Sequence, residues 1–416
     1  MEAETGLVWR VRTATPRLQY VLSTLFGEWL KLSYCIVSGD QWDSFVVPTG
    51  WRVISYGTDE VGFADAYLPY SGFLERKGTS FFLPEWDDKG FFPGMGSFPW
   101  DLPAMAFYVL TLYPLYKWPY GYDEWGLYAW HRSPFYDAPF WKTPFLLERL
   151  YELLDHLAIR WPRPSFHWEI GWDIDHLYAW RGRGGIRWWM GGIRRGDLLQ
   201  RIQVKWGLLA DPYDTFSQIT QTFSPSHSRF FFLLSNKHPR DSLISPHCME
   251  LPQRVRMLQE QGYEIGLHPS FRTREEPELL LKEKALLESY LGCAVTQSRQ
   301  HYLRFFWPDL LENLLKVGIQ EDFSLAFPDR SGFLLGTTLP VPAYRVDTER
   351  RVPLRLIGPA LMDRVYLRRK DVLLLEEEIR RLFNVVQKIG GRLHLIWHNS
   401  TWSALPLSLF EEVAIQ

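Results

Sequence analysis

The 416-residue sequence predicts an α/β protein in which a distorted (β/α) barrel follows a smaller α+β domain. Two observations predict the barrel. Strand-like and helix-like segments alternate from Ser165 onward, which is typical of parallel sheets and barrels. Acid/base or metal-type side chains stand at the ends of several of these strands, and the carboxyl ends of barrel strands share the rim on which barrel enzymes do their chemistry. The sequence therefore predicts an active site on this rim.

Residues 1–160 differ from the remainder and are predicted to form the α+β domain, to which the sequence assigns no role. They are rich in glycine, proline and aromatic residues, with short strand-like runs such as residues 51–56. Helical stretches are expected at 102–116 and 144–159, where the second has leucines at helical spacing. The prolines that follow suit a linker, since neither can continue a helix. The barrel is accordingly assigned to residues 161–416.

The barrel segments follow in a regular order. Glycines directly follow its four predicted helices, as is typical of helix ends. Residues 182–227 interrupt the alternation; they are basic and tryptophan-rich at first and are interpreted as an insertion near the rim. The predicted elements are strand 166–175, strand 229–234, helix 249–261, strand 263–268, helix 277–291, strand 294–301, helix 308–317, strand 319–327, helix 371–389 and strand 393–398.

Composition argues against several classes of partner. The 46 Lys and Arg residues nearly balance the 48 Asp and Glu residues, which leaves a net charge of -2 and gives no sign of nucleic acid or an anionic membrane as a partner. The sequence contains no stretch of about 18 uncharged apolar residues, so we expect no membrane span. Three dispersed cysteines indicate reduced thiols, or one bridge at most. The acidic amino terminus lacks an apolar signal core, so we expect a cytoplasmic protein.

Aromatic residues make up 16% of the chain, including 20 tryptophans, and allow two interpretations. Their faces can stack on sugar rings in a saccharide cleft. They can equally fill the interior, as large apolar residues mostly do. The density does not decide between the two.

Two carboxylates close the first barrel strand. Asp173 and Asp175 are separated by one residue, and alternate strand residues point the same way, so both can face one cavity. One carboxylate can then bind a cation while the other takes a proton. The alternative is a turn after a strand, where aspartate is common.

Three histidines occupy equivalent positions at the ends of later strands: His268, His301 and His398. A single histidine at such a position is more often a structural residue with satisfied hydrogen bonds. Their coincidence with two aspartates favours a metal site, because two or three histidines and a carboxylate are the ligands of a catalytic zinc with one open position. We therefore expect a divalent metal, with zinc the first choice, that acidifies water and polarises a carbonyl.

The order of motifs over residues 165–400 resembles that of the polysaccharide deacetylases, the NodB-like carbohydrate esterases. The family's Thr-Phe-Asp-Asp-Gly, Gly-His-Glu-Ile-Gly-x-His-Ser/Thr-x-x-His, Arg-x-Pro and Leu-x-His motifs correspond here to residues 171–175, 262–272, 299–301 and 395–398. The resemblance implies a barrel of NodB type. It also implies these roles: Asp173 as catalytic base, Asp175 and His268 as metal ligands, His398 as general acid, Arg299 holding the catalytic aspartate, and Asp322 orienting Arg299.

The sequence departs from the family pattern in two respects. Arg272 stands where the second motif ends in a metal-binding histidine, and His301 replaces the proline of the third motif, so His301 could supply the missing ligand. Asp322 could also be an ordinary acidic residue in a loop. The resemblance is strongest to a branch common in Bacteroidetes that has an additional N-terminal domain of uncharacterised function; residues 98–108 and 123–126 resemble its signature. Leu334 replaces an arginine that is typical of this branch.

These features predict a metal-dependent deacetylase that removes N- or O-acetyl groups from a poly- or oligosaccharide, in surface polysaccharide metabolism. The alternative is a non-catalytic saccharide-binding or assembly protein on a degenerate barrel, which Arg272 and Leu334 favour. Hydrolysis of a non-sugar C–N bond is a third hypothesis, since related barrels accept many substrates. Metal content after purification separates the first two.

Overall fold

The structure is a computed structural model that describes residues 5–58, 64–235, 237–241 and 248–414. The chain divides into two compact units, each described by itself. Unit 1 comprises Met1–Phe166, Gly332–Gly358 and Val385–Arg392. Unit 2 comprises His167–Ser331, Pro359–Asn384 and Leu393–Gln416. The later part of the chain therefore returns to unit 1 twice.

The described residues form strands and α-helices in the following chain order. The strands are β1 (Gly6–Val11), β2 (Ser33–Ser38), β3 (Arg52–Tyr56), β4 (Ala66–Leu68), β5 (Trp86–Asp87), β6 (Gly90–Phe91), β7 (Phe166–Ile174), β8 (Ser228–Phe232), β9 (Glu264–Leu267), β10 (Gln297–Ser298), β11 (Glu321–Asp322), β12 (Val341–Arg345), β13 (Arg350–Leu356), β14 (Leu361–Met362) and β15 (Gly391–His398). The helices are α1 (Pro16–Leu22), α2 (Leu102–Leu110), α3 (Phe145–His156), α4 (Ile186–Arg195), α5 (Leu198–Lys205), α6 (Phe216–Thr222), α7 (Glu250–Glu260), α8 (Glu278–Leu291), α9 (Asp309–Lys316), α10 (Asp363–Leu367), α11 (Val372–Ile389) and α12 (Leu407–Ala414).

Unit 1 contains a four-stranded sheet in the order β2-β1-β3-β4, and all three pairings are parallel. The prediction of an α+β domain did not specify this pairing, because short strands separated by turns do not reveal how they pair. The central strand β1 is buried along its whole length. Helix α2 is capped by the buried Asp101, which accepts hydrogen bonds from the backbone of Ala104 and the Tyr56 hydroxyl.

Unit 1 also contains an antiparallel hairpin of β12 and β13 that the alternation did not predict. Strand β13 alternates exposed and buried residues, as expected for a strand with one solvated face. The buried Arg17 of α1 donates from Nη2 to Glu349, at the turn of this hairpin, over 2.5 Å. Tyr20 donates to the carbonyl of Pro342, over 2.9 Å. These long-range bonds hold the hairpin within unit 1.

Unit 2 is a mixed α/β structure in which seven neighbouring strands follow the order β11-β10-β9-β8-β7-β15-β14. The pairings β7–β8, β8–β9, β9–β10, β10–β11 and β14–β15 are parallel. Strand β7 is buried from Trp168 to Ile174, as a strand covered on both faces should be. The order agrees with a half-barrel whose strand ends share one edge.

The predicted helices of unit 2 agree with the structure to within one residue at each end, whereas two predicted strands are much longer than the observed ones. Strand 294–301 is reduced to Gln297–Ser298 and strand 319–327 to Glu321–Asp322. In the first, Tyr302 and Leu303 adopt positive φ angles directly after the predicted end, in a 3-10 turn that begins at His301. In the second, the Asp322 side chain accepts from the backbone N–H of Ser324 and competes with sheet pairing.

The predicted insertion at 182–227 contains helices α4, α5 and α6. Among the described helices, none is both long and apolar enough to cross a membrane. The three cysteines are free thiols. In unit 1, the predicted helix 102–116 ends at Leu110 and is followed by a 3-10 turn, because Leu112 has a φ angle of 47°.

Candidate functional site

The register of the unit 2 sheet brings the predicted site residues to one edge. Asp173 lies opposite Phe231, and one strand further Phe232 lies opposite Leu267, the residue before His268. Ser298, the residue before Arg299, lies opposite both Leu267 and Asp322. Parallel pairing aligns the carboxyl ends of the strands, so side chains distant in the sequence converge there.

Asp175, His268 and His301 form a cluster with the donor set of a metal site. One ligand atom from each residue lies within 4.8 Å of the others. The Oδ1 atom of Asp175 is 3.3 Å from Nε2 of His268 and 3.4 Å from Nδ1 of His301. Both histidines are buried, and the Asp175 side chain is partly exposed, which leaves an approach from solvent.

Hydrogen bonds fix which nitrogen each imidazole presents to this cluster. Nδ1 of His268 is 2.6 Å from the carbonyl of Arg299, and Nε2 of His301 is 3.1 Å from the carbonyl of Arg240. A carbonyl only accepts, so the nitrogen facing it must carry the proton. In the neutral rings the opposite nitrogens, Nε2 of His268 and Nδ1 of His301, therefore direct lone pairs at Asp175. Backbone bonds of this kind orient the histidine ligands of metals.

Three converging lone pairs need a cation or a proton between them. Asp175 Oδ1 and His301 Nδ1 are buried atoms that make no hydrogen bond within the described part of the chain. Burial alone would raise the pKa of Asp175, but His301, His268 and His398 hold it well below its usual range when they are protonated, so the carboxylate is anionic. Burial lowers the pKa of His268, but Asp173 and Asp175 outweigh burial and raise it, so a proton can occupy this position when no metal does. An anionic oxygen with two imidazole nitrogens suits zinc or a similar divalent ion. The residues present therefore fit a metal.

Asp173 is held separately, by an arginine. Nη1 of the fully buried Arg299 donates to Oδ1 of Asp173 over 2.8 Å and to the Gly171 carbonyl over 3.1 Å. The second oxygen of Asp173, Oδ2, is 3.9 Å from Nε2 of His268 and thus faces the metal-type cluster. The Arg299 guanidinium also lies over the Phe231 ring, 4.3 Å from its centroid. The carboxylate is fixed on one side and presents its other oxygen to the cluster.

His398 is paired with a carboxylate that the sequence did not single out. Nδ1 of His398 is 2.7 Å from Oδ1 of the fully buried Asp363, and its backbone N–H donates to Oδ2 of Asp363 over 3.1 Å. Thr401 donates to the same carboxylate. Nε2 of His398 is 3.7 Å from Oδ2 of Asp175. Burial lowers the pKa of His398, but Asp363 and Asp175 outweigh it and raise that pKa above its usual value.

Asp322 lies one strand away from this cluster. Its carboxylate accepts from the hydroxyls of Ser298 and Ser324, over 2.8 and 3.0 Å. Burial raises the pKa of Asp322 to about 6. The bond to Arg299 from this strand comes from the Phe323 carbonyl, which accepts from Nε over 3.3 Å. Asp322 thus shapes the loop beside Arg299, and no hydrogen bond between the two side chains is found among the described residues.

Of the residues that depart from the family pattern, His301 belongs to the cluster, whereas Arg272 and Leu334 do not. Arg272 is in a 3-10 turn, largely exposed, and pairs with Glu276. Leu334 is buried in unit 1, where it lines a small apolar cavity with Phe91, Trp130 and Trp141.

Sequence reasoning missed three further groups, of which Asp363 is the first. The second is His394, whose Nε2 accepts from Nη2 of Arg299 over 2.6 Å. The third is Glu169, which accepts from Nε of Arg229 over 2.5 Å and lies 3.7 Å from Nδ1 of His394. The alternation of side chains along a strand could have indicated Glu169 and His394. Positions 169, 171 and 173 share one face of β7, and positions 394 and 398 share one face of β15.

Comparisons with known proteins add the following. Residues 7–162 match the model of a family of unknown function, DUF7033. No curated protein matches the chain. A structure from Mycobacterium smegmatis, provisionally assigned as a polysaccharide deacetylase, is 16% identical with a TM-score of 0.38 and aligns with 61% of this chain and 86% of its own. A polysaccharide deacetylase from Bacillus cereus is 10% identical with a TM-score of 0.30, over 60% and 88%.

Proposed function

We propose that unit 2 is a metal-dependent deacetylase that removes N- or O-acetyl groups from a saccharide. The observation that carries the proposal is the convergence of three ligand atoms from Asp175, His268 and His301 between two further groups that can move protons. Those two groups are Asp173, anchored by Arg299, and His398, anchored by Asp363. Hydrolysis of an acyl group needs this combination of a cation, a base and an acid.

Asp175, His268 and His301 would hold the metal. A divalent cation there supplies a Lewis acid that polarises the acetyl carbonyl and lowers the pKa of water. The donor set of two imidazoles and one carboxylate is that of catalytic zinc sites. The second imidazole comes from His301, because Arg272 occupies the position of the family's histidine and cannot bind a cation.

Asp173 is suited to act as general base. Arg299 fixes one of its oxygens at 2.8 Å, and the other faces the cluster, where it can accept a proton from the attacking water. The guanidinium also keeps the carboxylate oriented without solvent, since Arg299 is fully buried. A base that is already in position need not reorganise during the reaction.

His398 is suited to act as general acid. Asp363 accepts a hydrogen bond from Nδ1–H, which leaves Nε2 as the nitrogen that faces the site. The anionic partner stabilises the imidazolium, so Nε2 can carry a proton to the leaving amine or alkoxide. The saccharide itself is proposed from the motif order of residues 165–400, which resembles the deacetylases.

Metal content and acetate release test the proposal together. Purified wild-type protein should contain nearly one equivalent of metal and release acetate from at least one acetylated oligosaccharide of a screened panel. His301→Ala should lose most of its metal, whereas Arg272→Ala, the matched control, should retain it. A metal-replete wild type that releases no acetate from any glycan favours the non-catalytic binding protein. Unchanged metal content in His301→Ala shows that the ligand set is wrong.

Asp173→Asn and His398→Ala test the proton transfers. Each should retain metal, and each should lose about 10²–10⁴-fold of the rate, the usual contribution of one acid or base. Rates close to wild type in both variants would show that the chemistry uses other residues.

A further inference from the structure

The insertion of unit 2 contains a helix whose apolar face points to solvent. Ile186, Trp189, Met190 and Ile193 of α4 are separated by three, four and seven residues, the spacing of one helix face. All four are exposed, with Ile186 75% and Ile193 68% accessible. The neighbouring Trp188 is buried instead, so the helix is anchored by its other side. An amphipathic helix normally turns its apolar face inward, and this one does the reverse.

The exposed apolar surface continues beyond α4. Leu199 on α5 is exposed, as are three residues after this helix: Trp206, Leu208 and Leu209. Soluble proteins rarely expose apolar side chains in so dense a group unless they bind a partner or a membrane there. We call residues 186–209 the helix-pair surface.

The same segment is strongly basic, although the whole chain is nearly neutral. Residues 186–209 contain five arginines and lysines and one acidic residue, Asp197. Arg201 is buried, pairs with Asp197 over 2.6 Å, and donates to the Trp188 carbonyl over 2.9 Å, so it joins α4 to α5. Arg194, Arg195 and Lys205 are exposed. The balanced charge that argued against an anionic membrane therefore hides a local cationic surplus.

We propose that the helix-pair surface binds the surface of an anionic lipid bilayer. A helix with an exposed face of Trp, Ile and Met, bordered by arginines, has the composition of helices that lie in the membrane interface. Tryptophan prefers the headgroup level, where its ring is half apolar and half polar. Each basic side chain near an anionic surface contributes about a fivefold gain in affinity.

The helix-pair surface is connected to the candidate site through short segments. Nδ2 of Asn399, the residue after His398, donates to the carbonyls of His176 and Tyr213, both over 2.9 Å. His176 directly follows Asp175, and Thr215 donates back to the Asn399 carbonyl over 3.2 Å. The two ends of the segment that carries α4 and α5 are thus fixed beside the groups proposed for catalysis. Membrane binding here would bring the site close to the lipid surface.

Vesicle co-sedimentation of the full chain tests this inference. Wild-type protein should pellet with vesicles of phosphatidylcholine and phosphatidylglycerol, and less with phosphatidylcholine alone or at high salt, because salt screens surface charges. The combined variant Trp189→Ser, Met190→Ser, Ile193→Ser should bind at least about tenfold more weakly, since it removes three apolar anchors. Arg194→Glu with Arg195→Glu should remove the preference for the anionic lipid.

Leu281→Ser with Leu373→Ser is the matched control, because both leucines are exposed on helices of the same unit outside this surface. It should bind vesicles like wild type, and all variants should keep wild-type circular dichroism. The inference is overturned if wild-type protein does not bind anionic vesicles, or if the combined Trp189→Ser, Met190→Ser, Ile193→Ser variant binds them as well as wild type does. It is also overturned if sedimentation velocity shows a dimer that the serine variant dissociates while neither protein binds lipid. None of these results depends on deacetylase activity.

Discussion

At the scale of single residues, the orientation of each imidazole decides what the candidate site can do. His268 and His301 donate to backbone carbonyls and therefore present lone pairs to Asp175. His398 donates to a carboxylate and presents a nitrogen that can hold a transferable proton. Under the proposed function, three similar side chains at one edge thus divide into two ligands and one acid, and their hydrogen-bond partners make the difference.

Asp363→Asn should impair proton transfer while leaving metal bound. Asparagine at this position would keep the shape but remove the charge that supports the protonated His398, so the rate should fall by about 10²–10³-fold. The wild-type carboxylate raises the pKa of His398. Without the Asp363 charge, His398 should lose its proton at a lower pH, and the alkaline limb of the rate–pH profile should shift to lower pH. Rate–pH profiles and metal analysis measure both effects.

Asp214→Asn is the control for that variant, since Asp214 is half-buried and pairs with Arg254 in the same unit. It should change neither the pH profile nor the metal content. A profile of Asp363→Asn that coincides with wild type would show that Asp363 is only structural.

Asp322→Asn should stabilise the protein at neutral pH and not at acidic pH. Burial raises the folded-state pKa of Asp322 to about 6, above its unfolded value of about 3.9. The folded state therefore favours the protonated acid, and wild-type stability falls as pH rises from about 4 through 6. The asparagine does not titrate. Its advantage in unfolding free energy should grow between pH 4 and 7.5, by up to roughly 3 kcal/mol.

Denaturant unfolding of both proteins in a chelator measures this difference at several pH values. The serine hydroxyls around position 322 can rotate to accept from the new amide, so the substitution should be tolerated. A stability difference that does not vary with pH would contradict the raised pKa.

At the scale of elements, the sequence predicts the helices of unit 2 well because their ends carry local signals. Helix 277–291 is observed as Glu278–Leu291, and Gly292 after it has a φ angle of 71°, which favours glycine. Strand lengths are predicted poorly, because pairing depends on partners that are distant in the sequence. The segment 294–301 is predicted to be a strand, yet only Gln297–Ser298 is paired.

Asp173, Asp175 and His398 lie at the ends of β7 and β15, two strands that the apolar pattern marks clearly. Asp363 also follows a strand, but β14 has two residues and no pattern to detect. His394 and Glu169 were obscured for another reason, since each precedes the strand end that drew attention. The bond between Arg299 and Asp173, which lie 126 positions apart, is implied by the resemblance to the deacetylases, and no local pattern of the sequence indicates it.

Gly171→Ala should disrupt the packing between β7 and the segment after β10. A Cβ atom at this position would lie 2.2 Å from Nη2 of Arg299, which is fully buried and bonded to Asp173. The arginine has no free space to enter, so the methyl group should cost about 1–3 kcal/mol and displace the base. Activity should fall by at least about tenfold. Metal content should remain, because no proposed ligand is touched.

Gly184→Ala provides the comparison, since nothing lies within 4 Å of a Cβ atom there. It should leave both stability and rate unchanged. Wild-type kinetics in Gly171→Ala would mean that Arg299 can move without disturbing Asp173.

At the scale of the whole molecule, the net charge and the average composition give no indication of how charges are distributed over the chain. A net charge of -2 describes neither the cationic helix-pair surface nor the acidic Asp175 among three imidazoles. The division into two units is also hidden from the sequence. The segments Gly332–Gly358 and Val385–Arg392 belong to unit 1, and no local pattern in their sequence indicates this. The average composition indicates a folded protein, whereas its function depends on local groups of residues that differ from that average.

Metal binding should stabilise the whole chain through the candidate site. A ligand that binds only the folded state adds about 2.7 kcal/mol at 100 times its dissociation constant. Without a cation, protons must take its place between Asp175 and the facing nitrogens of His268 and His301, so the metal competes with protons and its binding should add stability to the folded chain. Denaturant unfolding with zinc and with a chelator should therefore give different free energies for wild type.

The ligands are identified by the difference between the unfolding free energies measured with zinc and with a chelator, and not by either free energy alone. His301→Ala changes the metal-free protein too, because it removes a buried ring and one of the opposed lone pairs. The difference between zinc and chelator cancels that change. It should shrink to less than half in His301→Ala and stay at the wild-type value in Arg272→Ala, whose side chain is exposed and paired with Glu276. An equal increment in all three proteins would show that zinc binds elsewhere in the chain.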